Sequence, residues 1–400
     1  MTKKTRIILK SGKDEALKRF HPWVFSGAIK KIDGVPIDGE LVEVFSNKEQ
    51  YLGSGHYQDA SIAVRMLAFA PECPETLSDE FWKEKIGEAF KLRKKLGLAD
   101  NPETNVYRLV YGEGDNLPGL IIDNYNGHIV LQAHSIGMYR QRNAIVKALL
   151  DVFDEKISSV YDKSSETLPA KFKPDNIKHG FLHGETSAPV EVVENKNKFY
   201  VDFITGQKTG FYIDQRENRE LLTKYAEGQS VLNTFSYSGG FSVYALNAGA
   251  KNVCSLDSSS KAIELCKKNI DFNFSSSDNH KTILSDTQEY LSSTDEKFDV
   301  IILDPPAFAK HLNVKHNAVQ GYKRLNAQAI RKIKPGGVLF TFSCSQVVNS
   351  SLFKSTIVAA AIQSGRQARI LHQMSHPPDH PVNIYHPEGE YLKGIVLQIR

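Results

Sequence analysis

Two short strings carry the groups best placed for chemistry. Residues 298–308 read Phe-Asp-Val-Ile-Ile-Leu-Asp-Pro-Pro-Ala-Phe, and residues 341–345 read Thr-Phe-Ser-Cys-Ser. Four consecutive apolar residues, Val300 to Leu303, suit a strand buried on both faces, as in a parallel sheet. Pro305 and Pro306 cannot donate ladder hydrogen bonds, so the strand stops there. Asp304 is then held at its carboxyl end, the edge of an open α/β sheet where ligands bind. Cys344 ends the next strand of the pattern and should face the same edge. A thiol there can be an activated nucleophile, and a carboxylate beside it can hold or move a proton. Each residue also has a plainer reading. Asp304 can simply precede a rigid turn, and Cys344 can be a small buried apolar side chain.

A glycine turn and two further carboxylates belong to the same edge. Residues 231–241 run Val-Leu-Asn-Thr-Phe-Ser-Tyr-Ser-Gly-Gly-Phe. A strand leading through Ser238, Gly239 and Gly240 into a helix lets a bound cofactor approach the backbone closely. The three spaced glycines of a dinucleotide site are missing, so pyrophosphate binding is not indicated. Asp257 ends the following strand, where a carboxylate can accept from both hydroxyls of a ribose. It can equally cap a helix, since Ser258, Ser259 and Ser260 follow. Asp286, at the end of the third strand, can accept from an adenine amino group. With Asp304, these groups outline a nucleoside pocket.

The elements that must position them fall into three regions. Residues 1–75 hold short β-like runs punctuated by glycine and proline, which predicts a small β barrel. Residues 76–190 predict a small α+β domain, opening with a helix over 78–96. From 191 to 400 strands and helices alternate, which predicts a mostly parallel, doubly wound sheet. Its strands are expected at 230–233, 252–257, 282–284, 298–304 and 337–343, with a closing pair at 368–374 and 394–399. Helices are expected only between the first five.

Bulk properties narrow the function classes. With 41% apolar and 24% charged residues in 400, a packed multidomain chain is expected. No apolar stretch is long enough to span a bilayer, and no signal peptide opens the chain. The four cysteines, Cys73, Cys254, Cys266 and Cys344, have neither zinc nor disulfide spacing, so a reducing cytoplasm is the simplest address and no metal is expected. The net charge of +4 is unevenly spread: between Pro305 and Pro378 there is no Asp or Glu but ten Lys and Arg. An acid-free stretch beginning at a ligand-binding strand end suits a polyphosphate partner, or is simply a solvated face.

These residues resemble a known family. The turn at Asn233-Thr-Phe-Ser-Tyr-Ser-Gly239, with Asp257, Asp286 and Asp304-Pro-Pro, is similar to the S-adenosylmethionine-dependent class I methyltransferases with a Rossmann-like fold. Three longer strings resemble the bacterial 23S ribosomal RNA cytosine-5 methyltransferases that carry an amino-terminal PUA domain. They are Thr205-Gly-Gln-Lys-Thr-Gly-Phe-Tyr-Ile-Asp-Gln-Arg-Glu-Asn-Arg219, His21-Pro-Trp-Val-Phe-Ser-Gly27 and His386-Pro-Glu-Gly-Glu-Tyr-Leu-Lys-Gly394. The resemblance implies that Gln207, Phe211, Asp214 and Arg216 cover the cofactor. Asn233, Thr234, Phe235, Ser236, Ser238, Gly239, Asp257, Ser258, Asp286 and Asp304 would line it.

The resemblance also implies a chemistry. Carbon 5 of cytosine is a poor nucleophile until a thiolate adds to carbon 6, the part it assigns to Cys344. Cationic surroundings are expected to acidify that thiol, with no carboxylate nearby in sequence to oppose them. Asp304 would hold N3 or help remove the carbon-5 proton. Where many such enzymes carry a second cysteine, this chain has Pro306, so release must use another base or water. Phe308, Lys310, Lys323 and Arg324 are candidates to support an unstacked base, and His21, Trp23 and Arg65 to dock RNA. Phe308 can equally be core, and Trp23 a barrel anchor. Ribosomal RNA is the implied partner, no membrane is, and a homodimer is compatible with the family. Two other readings stay open. Asp-Pro-Pro-aromatic strings also serve methylation of ring or amino nitrogens, with Cys344 idle, and a noncatalytic RNA-binding assembly factor could keep the fold.

Overall fold

The structure is a computed structural model that describes residues 4–154, 156–169, 172, 179–308 and 314–400. Two compact units divide the chain. The first runs to Val190 and adds Val201–Gly210 and Pro378–Gly389; the second comprises Glu191–Tyr200, Phe211–Pro377 and Glu390–Arg400. The sequence pattern suggests one unbroken domain over 191–400. Instead residues 201–210 and 378–389 cluster with the first unit, for reasons visible in their hydrogen bonds. Asp379 accepts from the main-chain N–H of Arg108 through its side chain and from Arg93 through its carbonyl. Tyr111 donates to the carbonyl of Gly389, and Asn383 to that of Glu113.

Within the first unit, a six-stranded sheet is ordered Trp23–Phe25, Ile62–Phe69, Tyr51–Tyr57, Leu41–Phe45, Arg6–Leu9 and Ile29–Asp33. Ile7, Leu9, Val24, Val42, Val44 and Val64 fill its core. A second sheet has five strands, Gly180–His183, Ser159–Asp162, His128–Ala133, Leu120–Tyr125 and Val106–Tyr111. The amphipathic helix Asp79–Lys95, capped by the Ser78 hydroxyl, buries Trp82, Ile86 and Ala89 in the cluster that includes this sheet.

The second unit carries a seven-stranded sheet. In chain order its elements are α1 (Arg216–Ala226), β1 (Ser230–Thr234), α2 (Gly240–Asn247), β2 (Asn252–Asp257), α3 (Ser260–Asn273) and β3 (His280–Leu284). There follow α4 (Thr287–Ser293), β4 (Phe298–Leu303), α5 (Lys315–Lys332), β5 (Ile333–Ser343), α6 (Ser350–Ser364), β6 (Ala368–Met374) and β7 (Lys393–Ile399). The sheet order is β3-β2-β1-β4-β5-β7-β6, parallel except for β7, which runs antiparallel to both neighbours. The order reverses at β1, so ligands are expected beyond the carboxyl ends of β1 and its neighbours. β4 is central, and Val300, Ile301, Ile302 and Leu303 are fully or almost fully buried, as a strand covered on both faces requires.

One ion pair ties the layers together. Glu194 ends the strand Val190–Glu194, whose partner is Asn197–Val201. It receives two hydrogen bonds from Arg219 of α1, at 2.8 and 2.7 Å, and one from Tyr244 of α2 at 3.0 Å. Arg219 also donates to the carbonyl of Tyr212 at 3.0 Å and lies over the Phe211 ring. Both charged side chains are almost completely buried. Removing one partner strands the other charge without water, so Glu194→Ala is expected to cost about 3–5 kcal/mol. Urea unfolding of the second unit, followed by circular dichroism, measures that loss.

Candidate active site

Adjacent parallel strands bring the two principal side chains to one edge. β4 and β5 pair with Leu303 opposite Thr341, so Asp304 and Cys344 both lie just past the carboxyl ends of neighbouring strands. Asp304 Oδ2 accepts from Gln215 Nε2 at 3.1 Å, and Gln215 Oε1 accepts from Asn218 at 2.6 Å. The turn Ile213–Gln215 that supplies Gln215 also supplies Asp214, whose Oδ2 accepts from the Tyr391 hydroxyl at 2.5 Å. Burial pushes the Asp304 carboxyl up to about 7, the Asp214 charge adds to this, and Gln215 and Arg219 oppose it.

The thiol reverses the electrostatic expectation. Burial pushes Cys344 up to about 11, and the carboxylates of Asp304 and Asp214 push in the same direction. Cationic acidification fails because two acids distant in sequence converge on the sulfur. Lys393 alone among the named charges favours the thiolate. In the ligand-free protein at neutral pH, Cys344 is therefore a protonated thiol.

A strained loop follows β1. Phe235 and Tyr237 sit at φ +53° and +45°, a left-handed backbone that costs roughly 1–3 kcal/mol per non-glycine residue. The surroundings hold it there. The Ser236 N–H donates to the Leu256 carbonyl, and the Tyr237 N–H to Asp257 Oδ2 at 2.9 Å. Asn269 donates to the Ser238 carbonyl at 2.8 Å. Gly239 opens α2 at φ +78°, where a Cβ would approach Cys266 Sγ to 2.6 Å. The Tyr212 and Tyr237 rings meet edge to face at 5.3 Å, bringing this loop beside the Asp214 turn. Two buried polar atoms here, Ser236 Oγ and Asp214 Oδ1, have no hydrogen-bond partner. Orphan buried polar atoms are costly unless a ligand meets them. A hydroxyl and a carboxylate oxygen left open beside aromatic rings fit a polar, cationic nucleoside cofactor.

The other expected cofactor residues divide. Asp257 does not cap α3, a part played by Ser259; its oxygens accept from Tyr237 and Ser259 main-chain N–H groups and keep lone pairs for a ligand. Phe235 packs on the sheet core, Ser238 is buried and Ser258 is exposed. Asn233 donates to Ser242 Oγ and Thr234 to the Ile302 carbonyl, so both side chains point into the fold. Phe211 is buried against Phe199, and Arg216 is buried in α1. Asp286 is exposed and caps α4, its Oδ1 accepting from the main-chain N–H groups of Gln288 and Glu289. Gln207 belongs to the first unit.

Of the expected RNA residues, Lys310 lies outside the described residues. Phe308 is half-buried and packs on the fully buried Tyr322 with ring centroids 4.6 Å apart, at the margin of the sheet core. Lys323 is half-buried and Arg324 exposed on α5. Trp23 donates its indole N–H to Glu113 at 2.8 Å and meets the His386 ring edge to face with centroids 4.2 Å apart, while the His21 ring lies 5.6 Å from that of His386. Arg65 is half-buried. Nor is the acid-free stretch a single face at the site. Arg331, Lys332, Lys334 and Arg366 bind groups around the amino ends of β4 and β5, the opposite edge of the sheet. Gln215, Tyr391 and Lys393 were hidden within the resembling strings, because their partners lie 89, 177 and 48 residues away.

Among the described residues there is no cluster able to hold a metal ion, and no helix is long and apolar enough to cross a membrane. The S-adenosylmethionine-dependent methyltransferase family matches residues 117–384, and a PUA-like domain matches residues 7–69. The chain is 40% identical to ribosomal RNA large subunit methyltransferase I of Aeromonas salmonicida, over 98% of this chain and 99% of that one. Its identity to the enzyme of that name from Escherichia coli O139:H28 is 36%, with the same coverage. A Streptococcus mutans protein described as a SAM-dependent methyltransferase shares the fold, with a TM-score of 0.82 at 23% identity over 98% of this chain and 99% of that one. A carboxylate-edged nucleoside cradle, a PUA-like domain and full-length likeness agree: the chain belongs to the S-adenosylmethionine-dependent methyltransferases, in the ribosomal RNA large subunit methyltransferase I family.

Proposed function

We propose that the protein methylates carbon 5 of a cytosine in 23S ribosomal RNA, with Cys344 adding covalently to carbon 6. The observation that carries this reading is the meeting of Cys344 and a proton-bearing Asp304 at the ends of β4 and β5. The RNA substrate comes from the name shared by the relatives and from the PUA-like domain. When bound, S-adenosylmethionine supplies the electrophilic methyl group. Ser236 and Asp214 would meet its polar groups, while the aromatic rings of Tyr212 and Tyr237 would offer a face to its positive charge.

The chain's own residues supply the rest. Gln215 donates to Asp304 Oδ2, so the proton of the neutral carboxyl resides on Oδ1. That proton can be donated to N3 of the cytosine, drawing electron density from the ring and opening carbon 6 to attack. The Cys344 sulfur forms the bond to carbon 6, electron density moves to carbon 5, and carbon 5 takes the methyl group, with a neutral thioether as the leaving group. Loss of the carbon-5 proton to a base then restores the double bond and expels the thiolate, and the N3 proton returns to the Asp304 carboxylate.

Two outcomes are expected. Cys344→Ala should retain cofactor binding and lose methyl transfer. RNA carrying 5-fluorocytosine, which has no carbon-5 proton to lose, should leave a protein–RNA adduct that survives a denaturing gel. Undiminished turnover in Cys344→Ala would sink the reading and favour methylation of a nitrogen. The pH dependence has a definite shape. Thiolate formation raises the rate with pH, but loss of the Asp304 proton above about 7 removes the acid, and the two slopes cancel. The rate should climb to about pH 7 and then level. In Asp304→Asn, whose amide does not titrate, the climb should continue past that point.

A further inference from the structure

Lys393 is a buried lysine for which the reaction above gives no part. It opens β7 directly opposite Ser343, the residue before Cys344, and only 6% of it is exposed. Its Nζ donates to the carbonyl of Ser345, the residue after Cys344, at 2.7 Å. Ladder pairing on one side and the side chain on the other thus bracket the cysteine. A lysine whose ammonium is taken out of water for one carbonyl bond is a poor choice for structure alone, because an uncharged donor would serve.

The charges facing the sulfur supply the reason. Asp304 beyond β4 and Asp214 before α1 press against the thiolate, and Lys393 opposes them. Among the described residues, the hydroxyls of Tyr212 and Tyr322 also interact with Cys344. Lys393 itself is faced by Cys344 and Glu390.

We propose that Lys393 is a positioning residue for Cys344: its ammonium, fixed by the Ser345 carbonyl, is the counter-cation that sustains the thiolate against Asp304 and Asp214. Its role rests on Cys344 being the nucleophile, but the coupling can be read without RNA. Burial brings the Lys393 ammonium down to about 8. Above that pH the cation discharges, so each further gain in thiolate is offset by the loss of its partner. Below it, thiolate increases about tenfold per pH unit while Asp304 keeps its proton, and more slowly as that carboxyl ionises near 7.

The test is iodoacetamide labelling of full-length protein across pH 6–11, with the Cys344 peptide quantified by mass spectrometry. The wild-type rate should climb, flatten near pH 8, and climb again only at higher pH. Lys393→Gln keeps a donor for the Ser345 carbonyl but no charge. It should label roughly tenfold more slowly at pH 8 and lose the flattening. Lys393→Arg, charged throughout, should restore fast labelling and climb past pH 8 without a shoulder. Asp304→Asn should move the profile the other way, to lower pH. Lys393→Gln labelling like wild type would overturn the proposal. So would a wild-type profile with no flattening, which decides the matter even if a variant fails to fold. An altered labelling profile alongside full methyl transfer by Cys344→Ala would spare this coupling while removing the covalent reaction.

Discussion

The site depends on a buried charge pair that holds its loops in place. Arg219 and Glu194 are both buried, and between them they fix α1, α2, the strand ending at Glu194 and the segment 211–215. That segment carries Tyr212, Asp214 and Gln215 to the edge where β4 and β5 end. Buried ion pairs are seldom a net source of stability compared with apolar packing, but they tolerate only one arrangement. Here the arrangement sets which carboxylate oxygens face the cleft. Gln215 reaches Asp304 because the turn before α1 is held by its neighbour four residues on.

The edge that results is electrostatically tense. The Asp214 charge makes that of Asp304 more costly, and both carboxylates raise the thiol of Cys344. The loop after β1 adds two aromatic residues in left-handed backbone and leaves the Ser236 hydroxyl unmet. Like charges and unmet polar atoms are what a polar, cationic ligand would relieve, and the strained loop keeps them in place for it. Local rules of stability are broken where binding is to be strong, and the sheet beneath, with Ile301, Ile302 and Leu303 wholly buried, supports the cost.

Local signals were legible in the sequence; long-range partnerships were not. The apolar run ending at Pro305 gave β4 and the position of Asp304 directly, because strand burial and proline chemistry are local. Alternation gave the sheet. α1 and α6 escaped, although Asn349 and Gly365 mark the start and end of α6 as a side-chain cap and a left-handed terminus. Charge proximity was the harder failure. Nothing near Cys344 in sequence hints at Asp214, 130 residues earlier, so cationic neighbours seemed to govern the thiol. A motif does not say which way a side chain turns: Asn233 and Thr234 direct their polar groups to Ser242 and the Ile302 carbonyl, and Phe211 packs on Phe199. Asp286 likewise gives one oxygen, Oδ1, to the start of α4, a contact that the residue's place at a strand end did not announce.

The hydrogen bonds of Asp379, Asn383 and Gly389 have a bearing on biogenesis. Arg93 is buried between Asp115 and the Asp379 carbonyl, so a nascent chain of two hundred or three hundred residues leaves that guanidinium short of an acceptor. A fragment stopping short of Asp379 would therefore lack part of the amino-terminal unit, and with it one of the acceptors that surround Arg93.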